Sequence, residues 1–150
     1  MATKEIDATL NFVDGMAFTA VANSGHEILL DSKSPEREDT RGPSPMELLL
    51  MGTAGCTAMD VISILRKKRQ QVTAYQVRIH GSRASEHPMV YTDITVEHIF
   101  TGHNISEAAV AQAIELSETK YCSASAMMRK TAKLTSTYRI IEAEPASRRE

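Results

Sequence analysis

Between Leu48 and Leu65 the chain carries one charge, Asp60, and its apolar residues fall on nearly every face of a helix. A helix patterned in this way is expected to be buried on all sides rather than laid on a surface. Its start is written in Ser44-Pro45-Met46-Glu47. Serine followed by glutamate three residues later makes a capping box, and proline suits the first helical position because the N–H it lacks would be unpaired there. The basic block Arg66 to Arg69 closes the run, where cations complement the negative end of the helix dipole. Gly52 and Gly55 each cost about 1 kcal/mol in a helix interior, so they predict a neighbouring helix or subunit close to the backbone. Cys56 follows them directly and is expected to face a packed seam.

On either side of this helix, predicted over residues 44–70, the period changes to two. Ile6, Ala8, Leu10 and Phe12 alternate with polar residues, Asp14-Gly15 offers a turn, and Met16, Phe18, Ala20 and Ala22 alternate again. That pattern predicts a hairpin, followed by a third short strand around Ile28 to Leu30, so the N-terminal strands span 5–31. Asp31 to Pro43 is a polar, proline-broken loop carrying Arg37 and Arg41. Tyr75, Val77 and Ile79 predict a strand, Ala84 to Pro88 a turn, and Ile94, Val96, His98 and Phe100 its antiparallel partner, giving a hairpin over 72–100. Asn104 or Ser106 caps a helix in which Val110, Ala113, Ile114 and Ser117 recur at helical spacing. A shorter helix from Ser123 to about Lys130 follows, with Cys122 at its N-terminal edge, so helices occupy 104–131. Leu134, Ser136, Tyr138 and Ile140 give a last strand over 134–141, and the polar tail from Pro145 to Glu150 is expected to fray. The expected fold class is α+β, one domain over 1–150, with antiparallel sheets packed around the long buried helix. One small sheet covers only one side of such a helix, so a homodimer with a large apolar interface is expected.

A chain of 150 residues with net charge −2 and pI near 6.2 is not a general polyanion binder, and the basic block has no second cluster or aromatic platform beside it. No nucleic-acid partner is expected. The apolar run reaches the length of a membrane span, but Asp60, the two glycines, Thr53, Thr57 and Ser63 lower its hydropathy, and no secretory leader pattern is evident. A cytoplasmic protein without a membrane partner is expected. Two cysteines are too few for a disulfide scaffold, and no closely spaced Cys/His set proposes a metal site. The five histidines, His26, His80, His87, His98 and His103, are scattered and read as surface or loop residues. Three Phe, four Tyr and no Trp leave the core to aliphatic residues and eight methionines.

The two cysteines, one in mid-helix and one at a helix edge, are either a thiol pair bridged by the fold or two small buried hydrophobes. Gly42-Pro43-Ser44-Pro45-Met46-Glu47-Leu48-Leu49-Leu50-Met51-Gly52-Thr53-Ala54-Gly55-Cys56-Thr57-Ala58-Met59-Asp60, with Tyr121-Cys122-Ser123-Ala124-Ser125-Ala126-Met127 downstream, resembles the OsmC/Ohr family of osmotically inducible and organic hydroperoxide resistance proteins. The likeness covers residues 5–141, and the opening of the first motif is similar to the YhfA-like branch. The resemblance implies an intertwined homodimer with two active sites at its interface. It also implies a thiol peroxidase acting on organic hydroperoxides, with an external dithiol such as a lipoyl protein as reductant and no cofactor or metal. In that reading Cys56 is the peroxidatic nucleophile and Cys122 the resolving thiol.

The attacking species is the thiolate, and an unperturbed cysteine with a pKa of about 8.5 is mostly protonated at neutral pH. Cys56 lies too far along its helix to gain from the dipole, so an arginine is required, supplied in OsmC-type members by the loop that here carries Arg37 and Arg41. The hydroperoxide reductases place an orienting glutamate where this chain has Met46. Glu47 is adjacent, and one residue along a helix is a rotation of about 100°, so Glu47 is an orienter only if it reaches the same place. Asp60, one turn beyond Cys56, opposes thiolate formation if it faces the sulfur. Two other functions stay open: a dimer that binds a small hydrophobic ligand with idle cysteines, and a redox sensor that forms the disulfide without turnover.

Overall fold

The computed structural model describes residues 4–145. Residues 146–150, most of the tail expected to fray, lie outside it. The chain falls into two compact units that meet between Leu49 and Leu50, within the long helix.

In the first unit β1 (Ala8–Asp14), β2 (Ala17–Ala22) and β3 (Glu27–Leu30) form an antiparallel sheet in that order. The turn after Asp14 uses Gly15 at φ +53°, and Gly25, at φ +79°, reverses the chain before β3. Both sit in the left-handed region that glycine enters without steric cost. The loop after β3 is tied down by Asp31, a buried carboxylate that accepts the backbone N–H groups of Ser32 (2.8 Å) and Arg41 (3.0 Å). The Asp31 N–H in turn donates to the Pro43 carbonyl.

The helix α1 spans Pro45–Lys67, and its capping box forms as its sequence predicts. The Glu47 N–H donates to Ser44 Oγ (3.2 Å), and the Ser44 N–H donates to Glu47 Oε2 (2.6 Å). Its burial within the chain is one-sided. Only Thr53, Thr57, Val61 and Leu65 are buried, a single stripe at four-residue spacing, while Leu49, Met51 and Met59 are exposed, Met59 to 73%. The chain covers one face of α1, not all of them. Among the described residues none approaches Gly52 or Gly55, since a Cβ added at either meets nothing within 4 Å. By length and composition alone, α1 is long and apolar enough to cross a membrane.

In the second unit β4 (Gln71–Arg83) and β5 (Tyr91–His103) form the long hairpin, and α2 (Glu107–Leu116) and α3 (Ser123–Met128) lead to β6 (Lys133–Glu142). The sheet order is β4-β5-β6. One pairing departs from the antiparallel pattern: β6 runs parallel to β5, because the intervening helices carry the chain back before it re-enters the sheet. Ser106 caps α2, its hydroxyl accepting the Ala109 N–H. Val61 and Leu65 of α1 pack with Phe100 of β5 and with Ala109, Val110, Ala113 and Ile114 of α2 to form the core.

His98, expected at the surface, is fully buried. It occupies an inward position of β5 with Val96 and Phe100, lies nearly parallel to the stacked rings of Tyr75 and Phe100, and bonds the Tyr75 hydroxyl through Nδ1 at 2.6 Å. Its Nε2 finds no partner among the described residues. Burial lowers its pKa to about 4 and pushes the Tyr75 phenol upward. The consequence has a definite sign. Between the unfolded value near 6.5 and the folded value near 4, the unfolded chain takes up a proton that the folded chain refuses. Stability is therefore undiminished above pH 6.5 and falls as pH drops through that window, by at most about 3 kcal/mol. Urea denaturation at pH 7 and pH 5 should show this loss in the native sequence, and a reduced loss in His98→Phe.

Candidate active site

The second unit brings both cysteines together. Cys56 lies on α1 and is partly exposed; Cys122 is the N-cap of α3 and is buried. A carboxylate oxygen of Asp60, one turn along α1, joins them, and the two sulfurs and this oxygen lie within 4.8 Å of one another. Residues four apart on a helix share a face, which explains why Cys56 and Asp60 point the same way. Cys122 arrives by a different route. After Leu116 the chain widens into a π-helical turn, Ser117–Tyr121, closed by the Cys122 N–H on the Ser117 carbonyl at 2.7 Å. Such turns accommodate one residue more than an α-helical turn and recur at functional sites. Arg129 braces it from outside, donating to the Glu118 carbonyl (2.6 Å) and pairing with the Glu118 carboxylate (3.6 Å).

Beneath the sulfurs runs a chain of hydroxyls. Buried Thr57 and Ser117 share a hydrogen bond of 2.9 Å, and Ser117 Oγ donates to Asp60 Oδ2 at 3.0 Å. The bond fixes which way the carboxylate faces. On the other side, Cys122 Sγ accepts two hydrogen bonds from buried Ser125, one from its N–H (3.3 Å) and one from its hydroxyl (3.0 Å). Burial pushes the Cys122 thiol pKa up; the Ser125 donors pull it back, and the Cys56 sulfur adds a smaller upward push. On balance burial favours the protonated thiol, so the inner sulfur must lose its proton before it can attack. Beside Asp60 opens a cavity of about 370 Å³, lined by Ser63, Ile64, Leu116 and Tyr121 with Lys67 and Lys68.

The remaining candidates lie in the first unit. Arg37 exchanges backbone hydrogen bonds with Ser34, both 3.1 Å, and borders a cavity of about 240 Å³ with Arg41, Asp14 and Asp31. The Arg41 guanidinium is committed to Asp14 and lies 3.7 Å from Asp31, so the Asp14 hydrogen bond raises its pKa. The Arg41 and Ser32 N–H groups hold the Asp31 carboxyl below its usual range. Glu47 is engaged in the capping box. Three residues of the site were not candidates from sequence: Asp60, raised there only as an opponent of the thiolate, Ser117 and Ser125. Ser117 left a signal, a hydroxyl on the apolar stripe of α2, which is costly unless paired.

The family described as OsmC-like protein matches residues 37–137. Protein YhfA of Escherichia coli (strain K12) is 40% identical over 138 residues, 92% of this chain and 100% of that protein. The chain belongs to the OsmC-like family. Among solved structures, a hypothetical protein of Aquifex aeolicus VF5 is similar at 31% identity and a TM-score of 0.81, over 96% of this chain and 100% of the other. The organic hydroperoxide resistance protein OhrB of Bacillus subtilis shares the OsmC-like fold at 13% identity and a TM-score of 0.61, over 92% and 100%. The α+β architecture and the resemblance drawn from the two cysteine motifs therefore stand.

Ser117→Ala should lower stability by about 1–3 kcal/mol in urea denaturation, because it leaves a buried Thr57 hydroxyl and an Asp60 oxygen without their shared partner.

Proposed function

We propose that this protein is a cysteine-based thiol peroxidase that reduces organic hydroperoxides in the cytoplasm, as a homodimer, with an external dithiol as reductant. The observation that carries the reading is the gathering of Cys56, Cys122 and Asp60 within 4.8 Å. Cys56, the more accessible sulfur, attacks the terminal peroxide oxygen as a thiolate. The O–O bond breaks, the alkoxide takes a proton and leaves as an alcohol, and Cys56 becomes a sulfenic acid. Cys122 then displaces water from that sulfenic acid and forms the disulfide, which the external dithiol returns to two thiols.

Asp60 supports this chemistry as a proton carrier. Its carboxylate accepts the thiol proton and returns it to the departing alkoxide, with Ser117 holding the orientation. The resemblance assigns stabilisation of the Cys56 thiolate to an arginine of the loop after β3, Arg37 or Arg41, and the Arg41 guanidinium is paired with Asp14. The expected substrate is an alkyl or lipid peroxide, its organic group assigned to the cavity beside Asp60, whose wall combines Ile64, Leu116 and Tyr121 with Ser63, Lys67 and Lys68. Support for the dimer comes from apolar side chains the single chain leaves exposed, Phe12 (62%), Met51 (56%) and Met59 (73%) among them.

The test is peroxide consumption with cumene hydroperoxide and dihydrolipoamide. Wild type should turn over and Cys56→Ser should fall to the uncatalysed background. Cys122→Ser should consume one equivalent and leave a sulfenic acid that dimedone labels. Disulfide formation without turnover would make the protein a sensor instead, and neither disulfide nor turnover would make it a ligand binder. Light scattering should give twice the mass of the chain.

A further inference from the structure

We propose that the reduced form binds one zinc-class divalent cation through Cys56 Sγ, Cys122 Sγ and the Asp60 carboxylate, leaving the fourth position to water. This binding does not depend on peroxidase activity. Two thiolates and one carboxylate form a donor set that favours zinc-class ions over magnesium or calcium, which prefer oxygen alone. Three protein ligands and an open fourth position are the pattern of zinc sites that exchange a bound water.

The geometry is close to what such an ion needs. Donor atoms around one tetrahedral zinc stand about 3.5–3.8 Å apart. The three here lie within 4.8 Å of one another, close to that spacing. Cys56 and Asp60 form the chelating pair on one helical face, and Cys122 comes from across the π turn.

A second, independent observation is the ring of groups that hold these ligands. Ser117 Oγ donates to Asp60 Oδ2 and is itself bonded to Thr57, which leaves the other carboxylate oxygen for a cation. Ser125 donates twice to Cys122 Sγ, from N–H and hydroxyl, an arrangement that stabilises a thiolate ligand. Orienting partners of this kind tune both affinity and ligand geometry. A disulfide between the two sulfurs would remove both thiolate donors, so only the dithiol form can hold the ion.

Cobalt(II) is the probe, added to reduced, metal-free protein in the absence of any peroxide. One equivalent per chain should produce a near-ultraviolet thiolate-to-cobalt band and the intense visible bands of a tetrahedral site, both abolished by added zinc. Either Cys56→Ser or Cys122→Ser should roughly halve the thiolate band, and Asp60→Asn should weaken cobalt affinity at least tenfold while keeping a wild-type circular dichroism spectrum. Absence of the thiolate band at saturating cobalt would overturn the proposal, as would unchanged affinity in Asp60→Asn. Because the readout is spectral, a protein without peroxidase turnover can still show the site, and an active peroxidase can still lack it.

Discussion

The hydrogen bond between Thr57 and Ser117 joins α1 to the helical segment that carries Cys122. Both hydroxyls are buried, and a buried hydroxyl without a partner is costly, so each holds the other in register. Because Ser117 also donates to Asp60, the same contact that docks two elements aims the carboxylate. Around it the core, from Val61 and Leu65 through Phe100 to Val110 and Ile114, supplies non-directional cohesion. Apolar packing alone would tolerate small slips of one helix against another; the hydroxyl pair does not.

The site combines features that pull in opposite directions. Burial disfavours charge on Cys122, whereas the two donors of Ser125 favour it. An Asp60 carboxylate oxygen lies within 4.8 Å of both sulfurs. The proposed thiol chemistry and the proposed metal binding would therefore draw on the same three side chains.

Much of this was legible in the chain. The capping box at Ser44 and Glu47, the Asp14-Gly15 hairpin, the Ser106 cap and Cys122 at a helix edge rest on local rules, and local rules survive folding. The pairing of Cys56 with Cys122 needed the family resemblance, because no local spacing links residues so far apart. Two features escaped. His98 reads as polar, yet its alternation with Val96 and Phe100 puts it inward, where Tyr75 receives it. The π turn has no residue signature, being a matter of phase. For α1 hydropathy reports the need for cover and not its source, and within the chain that cover falls on one stripe, Thr53, Thr57, Val61 and Leu65.

The π turn from Ser117 to Tyr121 carries a consequence of its own. A helix turns about 100° per residue, so the extra residue sets the angular position at which Cys122 emerges. Where that sulfur sits is encoded by how many residues precede it, and hardly by which ones they are. The exposed Thr119 and Lys120 can be replaced at little cost, but a single deletion there would swing the thiol about a quarter of the way round the axis and dismantle the cluster while its own residues remained in the sequence.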